Sequence, residues 1–255
     1  MASKLDKFRS SGGKIKFTTT RDNFKIRYAT WSKGKLGTIF FLNGRTEYIE
    51  KYSETISKFL ERGFSLVSLD WRSQGLSQRY FGRRDIGHIN DFKEYQIDLK
   101  TLLDKTDIKN LPKPFILVSH SMGGTIGLRT LVGRNHPFSA AIFSAPAWGA
   151  KIFENAVLNL IKGLAPVIKN PGIAKIKLYP GGKMPYVLLS SASENSLTSD
   201  EKQFKRLQEI VRSEPKLLVG PPTVGWGLAA AEELEKLTKA KPPTIPILIF
   251  MSAEE

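Results

Sequence analysis

The sequence predicts an α/β fold: a mostly parallel β-sheet flanked by helices, with a helical segment inserted before the sheet resumes. Three observations predict it. Short, continuous apolar runs over 37–44 and 115–119 read as strands buried on both faces. They alternate with amphipathic runs of helical length, the pattern of a sheet covered on both sides. The alternation stops between about 149 and 243, where helix candidates follow one another across Pro and Gly breaks.

Each element has its own signal. KIKFTTT and FKIRYATW alternate polar and apolar residues around the turn RDN, and predict a hairpin over 14–31. GTIFFLNG, 37–44, is the first buried strand. KYSETISKFLERG, 51–63, follows as a helix stopped by Gly. FSLVSLDW, 64–71, is the next strand, and SQGLSQR a polar turn. NDFKEYQIDLKTLLDKT, 90–106, is a second helix with Asn90 or Asp91 as N-cap. PFILVS and GGTIGLRTLVGR make a strand and a helix, and 139–148 a further strand. Three helix candidates then follow: KIFENAVLNLIKGLAPVI, TSDEKQFKRLQEIVR and WGLAAAEELEKLTKA. The middle one opens with a capping box, Thr198 with Glu201. TIPILIFM, 244–251, resumes the buried-strand pattern. The expected domains are a core over 1–148, a helical cap over 149–243 and a resumed core strand over 244–255.

Composition narrows the function classes. At 255 residues and 41% apolar, the chain can build a sizeable core, which argues against disorder. It has no Cys, so thiolate catalysis, disulfides and Cys-ligated metals are excluded. The stretch MASKLDKFRSSGGK has no apolar h-region, and no apolar run approaches the ~20 residues of a membrane span. Net charge is +15, and residues 1–36 hold ten Lys or Arg against two Asp. Such a surplus suits an anionic partner. The hairpin alternation favours a plainer reading, lysines on an exposed edge. No G-x-G-x-x-G, no G-x-x-x-x-G-K-[ST] and no metal-ligand spacing occurs, so no cofactor and no metal are expected.

The chemistry concentrates in FILVSHSMGGTIGLRTL, 115–131. A strand delivers Ser121 into a tight turn that opens a helix, the context of a nucleophile elbow. The usual string is G-x-S-x-G, and here Ser119 stands in place of the first Gly. Gly123 and Gly124 permit close helix–strand packing, and N–H groups at the helix start can stabilise an oxyanion.

Several further stretches, FLNGRTEYIEKY, LDWRSQGLSQR, GHINDFKEYQIDL, HSMGG, ENSLTSDEKQFKR and GPPTVGW, occur in order along the chain. Together they resemble the α/β-hydrolases of the bacterial lysophospholipase and monoacylglycerol lipase group. The resemblance implies an α/β-hydrolase fold with Ser121 as nucleophile. It implies an oxyanion hole from the backbone N–H groups of Met122 and Arg45. Asn43 stands where many relatives have His, and Ser73 where Gly is usual. Trp226 is expected either to contact an acyl chain or to pack within the cap. The acid is expected after the strand in PILIFM, at Glu254 or Glu255, with the following position a third choice.

The base of this fold follows one further strand, and the sequence contains none. His120, His88 and His136 do not come from the expected place, and Asp70 reads as a turn residue. The chain is therefore expected to lack its general base, last strand and last helix, and to be impaired. A truncated product, a fragment of a longer chain and a dead enzyme all remain open, and the strand in PILIFM becomes an apolar edge. The resemblance implies a serine carboxyl-ester hydrolase of lysophospholipase or monoacylglycerol lipase type. An inactive lipid- or membrane-surface-binding module is the alternative, and a proline-releasing serine aminopeptidase a weaker one. The expected partner is a small lipid ester, with peripheral contact to an anionic membrane and no nucleic acid. The expected location is cytoplasmic, at or near the inner membrane face.

Overall fold

Seven strands form one sheet in the order β1-β2-β4-β3-β5-β6-β7. The computed structural model describes residues 12–149, 163–178, 186–189, 191, 195 and 197–251. The strands are β1 (Lys14–Thr19), β2 (Lys25–Trp31), β3 (Thr38–Leu42), β4 (Ser65–Asp70), β5 (Phe115–Ser121), β6 (Phe138–Pro146) and β7 (Ile247–Phe250). β2 runs antiparallel to both β1 and β4, and β3 to β7 are mutually parallel. The longer helices are α1 (Ser53–Glu61), α2 (Lys93–Leu103), α3 (Met122–Val132), α4 (Glu201–Ser213) and α5 (Val224–Thr238).

Period-two alternation puts the two faces of the sheet on different helices. Ile39, Phe41, Leu66 and Val118 join Ile56 of α1 in one core. Phe40, Leu42, Val67, Leu69 and Leu117 join Tyr95 and Leu99 of α2, and Met122 and Ile126 of α3, in the other. β3 sits between β4 and β5, so the chain leaves β3 toward β4 and later crosses back to β5. Strand order reverses there. The crevice beyond the carboxyl ends of β3 and β5 is where an open α/β sheet places a ligand. Between β6 and β7 every described regular element is helical: single turns at Ala165–Ile168, Pro171–Ala174 and Tyr186–Leu189, then α4, Pro215–Leu217 and α5. No helix among the described residues is long and apolar enough to cross a membrane.

Three details differ from the sequence expectation. β2 is buried along almost its whole length, lying between β1 and β4, so within the hairpin only β1 is exposed. α4 is capped by Asp200, whose carboxylate accepts from the N–H groups of Lys202 and Gln203. Thr198 instead accepts from Asp200 N–H, so the expected capping box does not form. α2 starts at Lys93, and Asp91 takes its first N–H at 2.8 Å. β7 is the expected apolar edge strand, with Leu248, Ile249 and Phe250 exposed. β7 pairs with β6 on one side, and its other side meets no strand among the described residues.

Candidate active site

Ser121 ends β5 and immediately precedes α3. Its backbone adopts φ 50° and ψ −123°, a conformation that costs a non-Gly residue about 1–3 kcal/mol. Neighbouring contacts hold it there. Ala147 N–H donates to the Ser121 carbonyl at 3.0 Å. α3 starts hard against β3, since a Cβ on Gly123 would lie 2.2 Å from the Leu42 carbonyl oxygen. Ser119 is fully buried, with Oγ 3.4 Å from the Ile142 carbonyl, and the turn accommodates it in place of Gly.

The loop after β3 closes over this bend. Asn43 is buried and donates from Nδ2 to the Leu69 carbonyl at 2.9 Å, while Trp71 Nε1 donates to the Asn43 carbonyl at 2.9 Å. Asn43 thus shapes the loop. Gly44 touches Ser121, because a Cβ on Gly44 would lie 3.0 Å from Ser121 Cβ. Thr46 has φ 62° and donates its N–H to Gln74 Oε1 at 2.5 Å. The buried Glu47 carboxylate accepts from Gly44 N–H at 2.5 Å, from Tyr52 OH at 2.6 Å and from Lys51. Burial pushes the Glu47 carboxyl upward. The charges of Lys51 and His120 and the hydrogen bonds outweigh it, holding Glu47 below the usual carboxylate range. Arg45 and Met122 therefore stand on the two segments that flank Ser121.

Trp226 lies in the first turn of α5, where its N–H is capped by Thr223 Oγ1 at 3.1 Å. Its indole N–H donates to Tyr95 OH at 3.2 Å, and its ring stands 5.7 Å from Phe92. The Arg45 guanidinium lies 5.3 Å from the Trp226 ring centroid, and Nη2 donates to the Gly220 carbonyl at 2.9 Å. The loop beside Ser121 is thereby fastened to the helical segment.

Each of the three histidines is engaged elsewhere. His120 Nδ1 is 3.0 Å from the Ser144 carbonyl, and Nε2 is 3.7 Å from Glu47 Oε1. His136 is half-buried rather than exposed, with its ring stacked on Phe138. His88 is buried, with Nδ1 2.7 Å from Thr223 Oγ1 and Nε2 3.2 Å from Asn90 Oδ1. Asn90 Nδ2 donates to Tyr80 OH and to Glu94 Oε1, so Asn90 Oδ1 is the acceptor facing Nε2, and Thr223 Oγ1 gives its hydrogen to Nδ1. This assigns the His88 proton to Nε2, facing Asn90. Burial lowers the His88 pKa. Asp70 is structural: it pairs with Arg27 at 2.9 Å and accepts from the N–H groups of Ile49 and Leu76. Glu254 and Glu255 lie outside the described residues. Two surface depressions, of about 770 and 450 Å³, lie at Phe17 of the hairpin and take in no residue of this site.

Glu47, Tyr52, Phe92 and Tyr95 were not legible as site residues. Glu47 offered one signal, its place four residues before Lys51 in the loop sequence. The other three read as ordinary apolar-face positions.

Comparison with known proteins fits this geometry. The chain is 28% identical over 218 residues to the probable lysophospholipase L2 of Haemophilus influenzae, covering 85% of this chain and 67% of that one. It is 28% identical over 220 residues to the lysophospholipase L2 of Escherichia coli K12, covering 83% and 62%. The chain thus spans about two thirds of the length of these relatives. Among solved structures, a soluble variant of the Saccharomyces cerevisiae monoglyceride lipase superposes with a TM-score of 0.65. That match covers 92% of this chain and 75% of the yeast chain at 16% identity, and shows the shared fold. The family model described as serine aminopeptidase, S33, matches residues 34–255, so with its parallel sheet and its strained serine this chain belongs to that family of α/β hydrolases.

Proposed function

We propose that Ser121 is the nucleophile of a serine carboxyl-ester hydrolase acting on a single-chain lipid, a lysophospholipid or a monoacylglycerol. The observation that carries this reading is the strained φ 50° of Ser121 at the β5–α3 junction, pressed against Gly44. In this reading the N–H groups of Met122 and Arg45 receive the oxyanion, where one donor is worth roughly 2.7–4 kcal/mol. The helices between β6 and β7 act as a cap, with Trp226 on the acyl-chain side. A lipid ester is favoured over a peptide because the relatives above are named as lysophospholipases. In this reading His88, His120 and His136, each engaged elsewhere, are not the positioned base. Hydrolysis of lysophosphatidylglycerol and of short acyl esters, compared between the chain and Ser121→Ala, tests the assignment. Equal rates in the two would refute it.

A second reading, a lipid-surface-binding module, is favoured by Leu164, Val167 and Ile176. These large apolar side chains are about half exposed on neighbouring turns that also carry Lys169, Lys175 and Lys177. Salt-sensitive sedimentation with anionic vesicles, without ester cleavage, would favour it.

A further inference from the structure

The loop that presses on Ser121 is pinned on both sides of Arg45. Gly44 N–H donates to Glu47 Oε2 at 2.5 Å, and Thr46 N–H donates to Gln74 Oε1 at 2.5 Å. The Asn43 carbonyl, at the other end of the first of these peptides, accepts from Trp71 Nε1 at 2.9 Å. The loop needs such pins. Gly44 has no Cβ to restrict its backbone. Thr46 sits at φ 62°, a left-handed conformation that a β-branched residue keeps only where its surroundings impose it. Both acceptors are buried side chains. Glu47 is itself held by Tyr52 OH and Lys51, and its Oε1 stands 3.7 Å from Nε2 of His120, the residue just before Ser121. Gln74 comes from the turn after β4, and its Nε2 is buried with no partner among the described residues. What this amide gives the loop is its oxygen.

We propose that Glu47 and Gln74 are positioning residues for attack by Ser121: together they hold the 44–46 loop against Ser121 and so set where the Arg45 N–H meets the oxyanion. The assignment rests on the reading of Ser121 as nucleophile given above. Neither side chain touches the reacting atoms. Each acts through a backbone N–H next to Arg45, Glu47 from within the loop and Gln74 from outside it. The oxyanion develops only as the bond to Ser121 forms. Loss of either acceptor should therefore slow bond formation and leave ground-state binding alone.

Phosphonylation by an alkyl fluorophosphonate tests this without turnover. The Ser121 Oγ–P bond forms, the P–F bond breaks, and fluoride and the seryl proton leave to solvent, while the phosphoryl oxygen takes the place of the oxyanion. Intact-protein mass over a range of probe concentrations gives a limiting rate and a half-saturating concentration, each corrected for Ser121→Ala. The expected limiting rate is about tenfold or more lower in Glu47→Gln and in Gln74→Met, with the half-saturating concentration within about twofold. Gln74→Met keeps the side-chain length and drops the unpaired amide donor, so it carries the test even where Glu47→Gln does not fold. Ile56→Val, in the α1 core, lowers stability without removing a hydrogen bond of the loop and should keep the original limiting rate. An unchanged limiting rate in either folded variant would overturn the proposal. So would an equal fall in Ile56→Val, which would assign the effect to stability, or a change confined to the half-saturating concentration, which would assign the pair to binding. Modification of the unsubstituted chain no faster than that of Ser121→Ala would instead overturn the nucleophile reading, and the proposal with it.

Discussion

Gly44 and Ser121 are in van der Waals contact across the end of the sheet: a Cβ on Gly44 would lie 3.0 Å from Ser121 Cβ and 2.8 Å from Glu47 Oε2. The loop after β3 and the bend after β5 are therefore one unit, locked from beneath by the Glu47 carboxylate.

Gly44→Ala should push this loop away from Ser121. A displacement on the scale of 1 Å costs about 100-fold in a reacting geometry. Fluorophosphonate modification of Ser121, followed by intact-protein mass, should slow by about that factor, and the clash with the buried Glu47 should lower stability by about 1–3 kcal/mol. An unchanged rate would mean that the loop does not set the position of the attacked group.

Ser73 sits with φ 63° where the resembling hydrolases place Gly. The left-handed conformation costs an L-residue roughly 1–2 kcal/mol. Ser73→Gly should raise stability by about 1 kcal/mol, the upper part of that gain being offset by the greater freedom of Gly in the unfolded chain. Urea unfolding measures it, and a destabilised variant would contradict the strain argument.

Arg79 is the buried knot between the turn after β4 and the segment before α5. Nη1 donates to the Ser73 carbonyl, and Nη2 to the carbonyls of Gly75, Leu218 and Lys216. Burial and the neighbouring Arg84 push its pKa down to about 10, so it remains charged at neutral pH. Arg79→Met strips several buried carbonyls of their donor and should cost on the order of 3 kcal/mol. Arg79→Lys, with a smaller donor head, should cost less. Both are read from denaturation midpoints, and a neutral Arg79→Met would show that the knot is dispensable.

His88 couples stability to pH. Burial depresses its folded-state pKa below the ordinary 6.5, so the unfolded chain binds the proton more readily. Its contribution is fully present above about 6.5 and is lost as pH falls through the depressed folded value. His88 should therefore lower stability on acidification from about 6.5, against the opposite pull of Asp98, whose burial raises its carboxyl to about 6, and His88→Gln should remove the His88 part of the slope. Part of the slope should survive, because burial also lowers His136. Equal slopes in the two proteins would remove His88 from the account.

The elements legible in sequence are those whose pattern and environment agree. The all-apolar TIFFL of β3 is buried on both faces, and in HSMGG a strand delivers a serine into paired glycines that open a helix. One reading went astray because tertiary surroundings overruled local pattern: the alternating KIRYATW looked half-wet, but it lies buried between β1 and β4. The apolar ILIF stands, as expected, at a sheet edge among the described residues. Thr198 lost the cap of α4 to Asp200 because Thr, Ser and Asp occur in succession and any of them can cap. Within the site, Ser121 was legible from its place between strand and helix, and the loop with Asn43 and Arg45 through the family resemblance. Glu47, Tyr95 and the path of the Arg45 side chain were not, since each depends on a partner from another element: Gly44 and Tyr52 for Glu47, Trp226 for Tyr95, Gly220 for Arg45.

The central claim is that Ser121 is a competent nucleophile whose imidazole base is not supplied by His88, His120 or His136. Added imidazole tests it most directly. Hydrolysis of a short-chain acyl ester by this chain, minus the rate with Ser121→Ala at the same imidazole concentration, should be small without imidazole and rise as imidazole is added. A difference that stays at zero throughout the titration would contradict the claim.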